Sequence, residues 1–127
     1  MTTVEIETEG TAQVAPGDEH VNEVHLVGRL SRAPTERTMP SGDTLWAFSV
    51  VVERPADQGP PGRTRVDTLD CSVWGGRVKR AVPTWAPGDL VEVHGRMRRR
   101  FYRTGGGVAP RTEIDVVRGR RVRRAAR

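Results

Sequence analysis

The chain has one cysteine, one lysine and one tyrosine, and no long apolar run. Each scarcity excludes something. Cys71 alone cannot form an internal disulfide, which fits a reducing cytoplasm. Without about 18 consecutive apolar residues, no membrane-spanning helix is expected. The N-terminus lacks both a basic n-region and an apolar h-region, so secretion is not expected. His20, His25 and His94 are scattered and show no CxxC or HxxxH spacing with Cys71 or one another. No metal ligand and no cofactor are therefore expected, and His25 and His94 read as strand-surface residues. Gly105-Gly106-Gly107 lacks the GK[ST] ending and following helix of a phosphate loop. Asp67 and Asp70 fall on opposite faces of a strand, a poor pair for a metal-dependent nuclease. Nothing marks a Ser-His-Asp triad. No catalytic residue is assigned, and the chain does not read as an enzyme.

What is present is glycine (14), proline (9), valine and arginine in a chain of 127 residues. That length suits one domain with tails, and that composition favours short strands and many turns over a helical bundle. The charge is uneven. All 21 Lys and Arg residues fall after residue 20, against 11 of the 16 acids, so residues 21–127 carry +10. Six arginines stand in the last twelve residues. A body this basic suggests a polyanion partner, although an arginine bias can also follow from genomic base composition.

The expected organisation is an acidic flexible tail (1–20), one domain (21–117) and a basic flexible tail (118–127). Strands are expected at Val24–Leu30, Leu45–Val52, Asp67–Trp74, Leu90–Tyr102 and Arg111–Val117. Val4–Glu7 also alternates and is a candidate edge strand. Ser31–Gly42 reads as a turn-rich connection, Arg54–Arg65 as a loop and Gly105–Pro110 as a hairpin tip. Val78, Ala81, Val82 and Trp85 lie near helical spacing, so Val78–Trp85 is expected to be a short helix limited by Pro83. Three strands, a short helix between strands 3 and 4, then two strands is the order of an all-β, five-stranded OB-fold barrel.

The segment 91–103 carries the functional signal. A period of two puts Val91, Val93, Met97 and Phe101 on one face and His94, Arg96, Arg98, Arg100 and Tyr102 on the other. A row of guanidiniums ending in an aromatic ring can neutralise phosphates and stack a base; the bland alternative is a solvated basic strand in an arginine-rich protein. In the third strand Leu69, Cys71 and Val73 share one face, and Trp74 lies on the polar face with Thr68, Asp70 and Ser72. Trp74 either covers a ligand or caps the barrel end. Trp46 and Trp85 read as packing.

From Val21 to about Val117 the chain resembles the bacterial single-stranded DNA-binding protein family. The resemblance rests on Asn22-Glu23-Val24-His25-Leu26-Val27-Gly28-Arg29-Leu30 and Met39-Pro40-Ser41-Gly42, then Leu69-Asp70-Cys71-Ser72-Val73-Trp74-Gly75. It continues through Pro87-Gly88-Asp89-Leu90-Val91-Glu92-Val93-His94-Gly95-Arg96-Met97 and Thr112-Glu113-Ile114-Asp115-Val116. It implies an OB-fold homo-oligomer, usually a tetramer with a dimer as the other option. Such proteins bind single-stranded DNA without strict sequence preference in replication, repair or recombination. By position, Trp74 and Tyr102 match stacking aromatics, and Arg98 and Arg100 match phosphate contacts. Arg96, Arg77, Lys79 and Arg103 complete the expected DNA-binding set.

Three departures weigh against a full-strength member. Thr68 replaces an aromatic, Asp70 replaces a basic residue, and the aromatic usual after the second strand is replaced near Ala56. Weaker binding or a smaller site is expected. The chain ends in arginines in place of the family's acidic tip, so recruitment of partners through such a tip is not expected. The acidic N-terminal tail prompts the hypothesis that it folds over the basic groove and competes with DNA. The leading reading is a non-catalytic single-stranded DNA-binding protein, cytoplasmic and nucleoid-associated. Its rivals are an OB-fold protein-interaction subunit of a replication or repair complex, favoured by Asp70 and the lost aromatics, and an RNA-binding OB module.

Overall fold

A computed structural model describes residues 4–6, 17–55 and 65–126, with the backbone alone described at 4–6, Tyr102 and Thr104. The elements are β1 (Val4–Ile6), β2 (Val24–Leu30), β3 (Thr35–Thr38), β4 (Thr44–Glu53) and β5 (Val66–Val73). Then come α1 (Gly76–Ala81), a 3-10 turn (Val82–Thr84), β6 (Leu90–Thr104) and β7 (Gly107–Arg123). Five strands close into a barrel. β2 pairs with β4, β4 with β5, β5 with β7, β7 with β6, and β6 returns to β2. Of these, β5–β7 is parallel, through Cys71↔Ile114 and Ser72↔Asp115, and the others are antiparallel. This is the expected OB-fold barrel, with α1 between the third and fourth barrel strands.

Valine fills the interior. Val50, Val73, Val91 and Val93 are fully buried, as suits a β-branched side chain on a pleated surface, and Val82 of the 3-10 turn joins them. Phe48 and Trp85 meet edge to face at 5.4 Å, so Trp85 packs as expected. Pro83 opens the 3-10 turn, where its missing N–H costs nothing. Two glycines allow the barrel to curve. A Cβ on Gly28 would strike the Val51 carbonyl oxygen, and one on Gly95 would strike the Asp115 carbonyl oxygen. Gly95 also lies at a register shift between β6 and β7.

Several boundaries differ from the sequence reading. Ser31–Gly42 contains a strand: β3 pairs with Thr44–Ala47 of β4 through a tight turn with Gly42 at φ +90. Its four residues, TERT, are all exposed, so no apolar alternation betrays them. The Gly105–Pro110 tip narrows to a two-residue turn at 105–106. The 118–127 segment is strand through Arg123, paired with the first residues of β6, and the Ala125 N–H donates to Asp89 Oδ1 at 2.8 Å. Val4–Ile6 does add as an edge strand, against Phe101–Arg103 of β6; the remainder of 1–16, like Ala56, lies outside the described residues. Met97, expected to face the core with Val91 and Val93, is 52% exposed. Beyond Gly95, β6 has left its pairing with β2 and runs on as an arm alongside β7, and β1 joins it at Phe101–Arg103, so the Met97 side chain lies past the wall that covers Val91 and Val93. Asn22 anchors its base, donating to the Met97 carbonyl at 2.8 Å and accepting from the Met97 N–H at 2.9 Å. No helix among the described residues is long and apolar enough to cross a membrane.

Candidate nucleic-acid interface

Strand alternation and register together build the outer face of β5, β7 and β6. β5 presents Asp70 and Ser72, with Trp74 one residue past its end. β7 presents Arg111, Glu113 and Asp115. Opposite them on β6 stand Arg100, Arg98 and Arg96, in the pairs Arg100↔Arg111, Arg98↔Glu113 and Arg96↔Asp115. A cleft lined by Trp74, Gly75, Arg96, Arg98 and Arg100 opens between the end of β5 and the arm. Four of the residues expected to bind DNA therefore meet in one place.

They do not play equal parts. Arg96 is exposed. The Arg98 side chain is 41% exposed, with Nη1 3.8 Å from Asp115 Oδ2. The Arg100 side chain is only 5% exposed. Its Nη2 donates to Asp115 Oδ2 at 3.1 Å and its Nη1 to Glu113 Oε2 at 3.4 Å. Its guanidinium carbon lies 5.1 Å from the centroid of the Trp74 ring. An open phosphate contact, as the sequence suggested, does not fit so buried a guanidinium; Arg100 instead forms the floor on which Trp74 rests. Ser72 Oγ donates to the same Glu113 oxygen at 2.8 Å and closes the network. The indole Nε1–H of Trp74 is buried with no acceptor among the described residues, so dispersion and the cation beneath hold the ring.

The other expected residues are dispersed. Arg77 is exposed on α1, one residue beyond the cleft-lining Gly76. Lys79 is tied down, its Nζ donating to the Thr44 carbonyl at 2.8 Å and to Thr44 Oγ1 at 3.0 Å. Arg103 is exposed near the arm's end, on the alternate parity to Arg96, Arg98 and Arg100. For Tyr102 the backbone pairs with Ala109 and Glu5, and the side chain lies outside the described residues.

Asp70 does not stand on this face as a bare charge. It accepts from Arg111 Nη2 at 3.0 Å and from Ser49 Oγ at 2.9 Å. Burial alone would raise its carboxyl, but these bonds and the field of Arg111 and Arg37 outweigh it and hold the group below its ordinary range. Arg37 and Arg111 are cations the sequence reading missed. With Arg32 and Thr68 they line a second cleft that adjoins the first across Ser72 and Glu113. Arg37 was hidden because its strand has no apolar signal; Arg111 becomes visible only once it pairs with Arg100.

The histidines are not scattered in space. His25 and His94 stand directly opposite each other on β2 and β6, beside Glu92. Cys71, in contrast, is buried with its thiol pushed up to about 12, mainly by desolvation and then by the charges of Asp70 and Glu113. It is inert at neutral pH.

Three comparisons bear on this geometry. The family model described as Single-strand binding protein family matches residues 21–122. Single-stranded DNA-binding protein 3 of Listeria innocua is 33% identical over 87 residues, 68% of this chain and 54% of that protein. The single-stranded DNA-binding protein of Thermotoga maritima is 34% identical over 101 residues, 76% of this chain and 72% of that protein. The chain thus spans about half the length of the Listeria relative and more of the Thermotoga one. A solved Plasmodium falciparum SSB complex with ssDNA superposes with a TM-score of 0.67 at 20% identity, over 82% of this chain and 95% of that one. At that identity it attests the barrel alone.

Proposed function

The chain belongs to the single-strand binding protein family, and from that premise we propose that it binds single-stranded DNA, without catalysis and without strict sequence preference. The observation that carries this reading is the meeting of Trp74 with Arg96, Arg98 and Arg100 on one outer face of the barrel. Bases stack on Trp74, with Tyr102 extending the track along the arm. Arg96 and Arg98 take phosphates, with Arg77 and Arg103 at the margins. Arg100 holds the Trp74 ring in place, and Arg37 and Arg111 carry the track across the second cleft.

Further parts of the proposal rest on the family resemblance: homo-oligomeric assembly, tetrameric in the first place; a role in replication, repair or recombination; and a nucleoid-associated location. Sedimentation equilibrium tests the assembly. Three carboxylates on the face, Asp70, Glu113 and Asp115, favour a second reading in which the face docks a basic protein segment.

Intrinsic tryptophan fluorescence separates the two. Titration with a roughly 30-nucleotide oligothymidine, longer than one OB-fold site, is expected to quench the emission with a salt-sensitive affinity. No quenching and no binding at low salt would hand the face to protein docking. Competition with a matched RNA strand tests the preference for DNA.

A further inference from the structure

The outer wall formed by β2, β6 and β7 holds a second constellation away from the Trp74 cleft. His25 and His94 face each other in antiparallel register, with ring centroids 4.2 Å apart and planes 8° from parallel. Glu92, two residues before His94, shares their face. Its Oε2 lies 2.7 Å from His25 Nε2 and 4.0 Å from His94 Nε2. One ligand atom from each of the three lies within 4.8 Å of the others. Two imidazole nitrogens and a carboxylate oxygen form a three-ligand donor set that suits zinc and neighbouring first-row divalent metals. We propose that His25, Glu92 and His94 bind one divalent transition-metal ion of the zinc class.

The geometry asks for the side chains to turn while the strands stay fixed. Metal–ligand bonds of about 2.0–2.2 Å in a tetrahedral arrangement separate donors by roughly 3.4 Å. The His25–Glu92 contact must open and the His94–Glu92 contact must close, each by less than about 1 Å. Because an imidazole binds a metal in its ring plane, the two near-parallel rings must also turn out of their stack about χ1 and χ2 so that both lone pairs converge on one ion. The carboxylate is already oriented. Arg120 Nε donates to Glu92 Oε1 at 2.8 Å and leaves Oε2 turned toward the histidines, the arrangement expected of a residue supporting a metal ligand. Side-chain exposures of 55%, 35% and 20% for His25, His94 and Glu92 give an ion entry and leave room for water to complete its shell. Glu23, two residues before His25, adds negative charge to this face, while Arg118, opposite His94, opposes it. The site is therefore weaker than a closed four-ligand zinc site. Its effect is structural: the ion clasps β2 to β6 at the seam that closes the barrel.

The test is a titration of the chelator-stripped full chain with Co²⁺. A saturable d–d absorption band reaching one ion per chain, and bleached by Zn²⁺, is expected. The band is lost in His25→Ala and in His94→Ala and retained in His20→Ala, the histidine outside the cluster. Arg120→Met weakens binding by about 10-fold, and Glu92→Gln weakens it further. Circular dichroism confirms the fold of each variant; if an alanine variant unfolds, His25→Gln and His94→Gln replace it. A wild-type protein with no saturable band overturns the proposal, and so does a band that survives in the folded His25→Gln/His94→Gln double variant.

Discussion

Replacing Arg100 by methionine separates two roles that the sequence leaves merged. A guanidinium that contacts phosphate is exposed; its loss leaves stability nearly unchanged and lowers the salt slope of single-strand binding by about 0.7. A guanidinium that holds buried carboxylates and a ring does the reverse. The structure favours the second role, with a side chain only 5% exposed bound to Glu113 and Asp115 beneath Trp74. Removing one partner of a buried ion pair costs about 3–5 kcal/mol. Here the stranded carboxylates keep other cations, since Arg111 Nε lies 3.7 Å from Glu113 and Arg98 Nη1 3.8 Å from Asp115. Those arginine side chains are 44% and 41% exposed, so each contact offsets only about 0–1 kcal/mol. Methionine also keeps part of the packing of the arginine stem.

The expected loss is therefore about 2–4 kcal/mol. Urea denaturation followed by circular dichroism reads it as a lower midpoint at unchanged slope. Adding Glu113→Gln to Arg100→Met removes one stranded charge, so the double variant is expected to recover about 1 kcal/mol or more. A denaturation midpoint equal to wild type, together with a salt slope smaller by about 0.7, would refute this reasoning and return Arg100 to the phosphates.

Other expectations follow from the same geometry. Trp74→Ala removes one stacking platform and weakens oligothymidine binding by about 1–3 kcal/mol, measured by a titration that does not depend on tryptophan emission; an unchanged affinity would move the bases off this face. If Arg37, Arg96 and Arg98 supply the phosphate contacts, the slope of log K against log salt is about −2, and about −3.5 with the marginal Arg77 and Arg103 added; a steeper slope would mean that the paired arginines open for DNA. The Asp89 carboxyl is held below its ordinary range by the N–H groups of Ala86 and Ala125, then by Arg121. Its folded pKa lies under the unfolded one, so its contribution is present above about pH 4 and is lost as pH falls through the folded value. Asp89→Asn is expected to lower stability at neutral pH and flatten its fall in acid, which denaturation midpoints across pH 2–7 would reveal. Deleting residues 1–20 is expected to tighten DNA binding most at low salt, because the segment is acidic and Val4–Ile6 already pairs with the basic arm; equal affinity at every salt concentration would dismiss that competition.

The barrel was legible where strands have a buried side. Val24–Leu30 matches β2 in both ends, and the helix could be placed because Val78, Val82 and Trp85 all pack inward. Legibility failed where pairing alone makes the strand. TERT in β3 and RGRRVR at the end of β7 carry almost no apolar alternation, yet each lies against a neighbour whose edge is already set. The site divides in the same way. Alternation put Trp74 and the even-numbered arginines of β6 on outward faces, but it assigns a side and not a depth, so it could not distinguish open Arg96 from buried Arg100. The carboxylates that bury Arg100 come from β7, and the partner of His25 comes from β6. Both depend on a register that no single strand contains, and the register shift beside Gly95 moves it.

That mixture of charges explains how such an arginine-rich face folds before any ligand arrives. Arg96, Arg98, Arg100 and Arg111 on two adjacent strands would repel one another if nothing stood between them. Glu113 and Asp115 occupy the positions directly across from Arg98 and Arg96, and Asp70 reaches Arg111 from β5. The innermost cation, Arg100, takes the most buried partners and becomes fixed. The outer ones keep more exposed contacts, 3.8 Å from Arg98 to Asp115 and 3.0 Å from Arg111 to Asp70, and pairs this exposed cost little to exchange for another anion. The carboxylates therefore do not argue against an anion-binding face by their presence. Depth sorts the pairs: the deep ones build the platform under Trp74, and on the proposed function the shallow ones exchange their carboxylate for a phosphate.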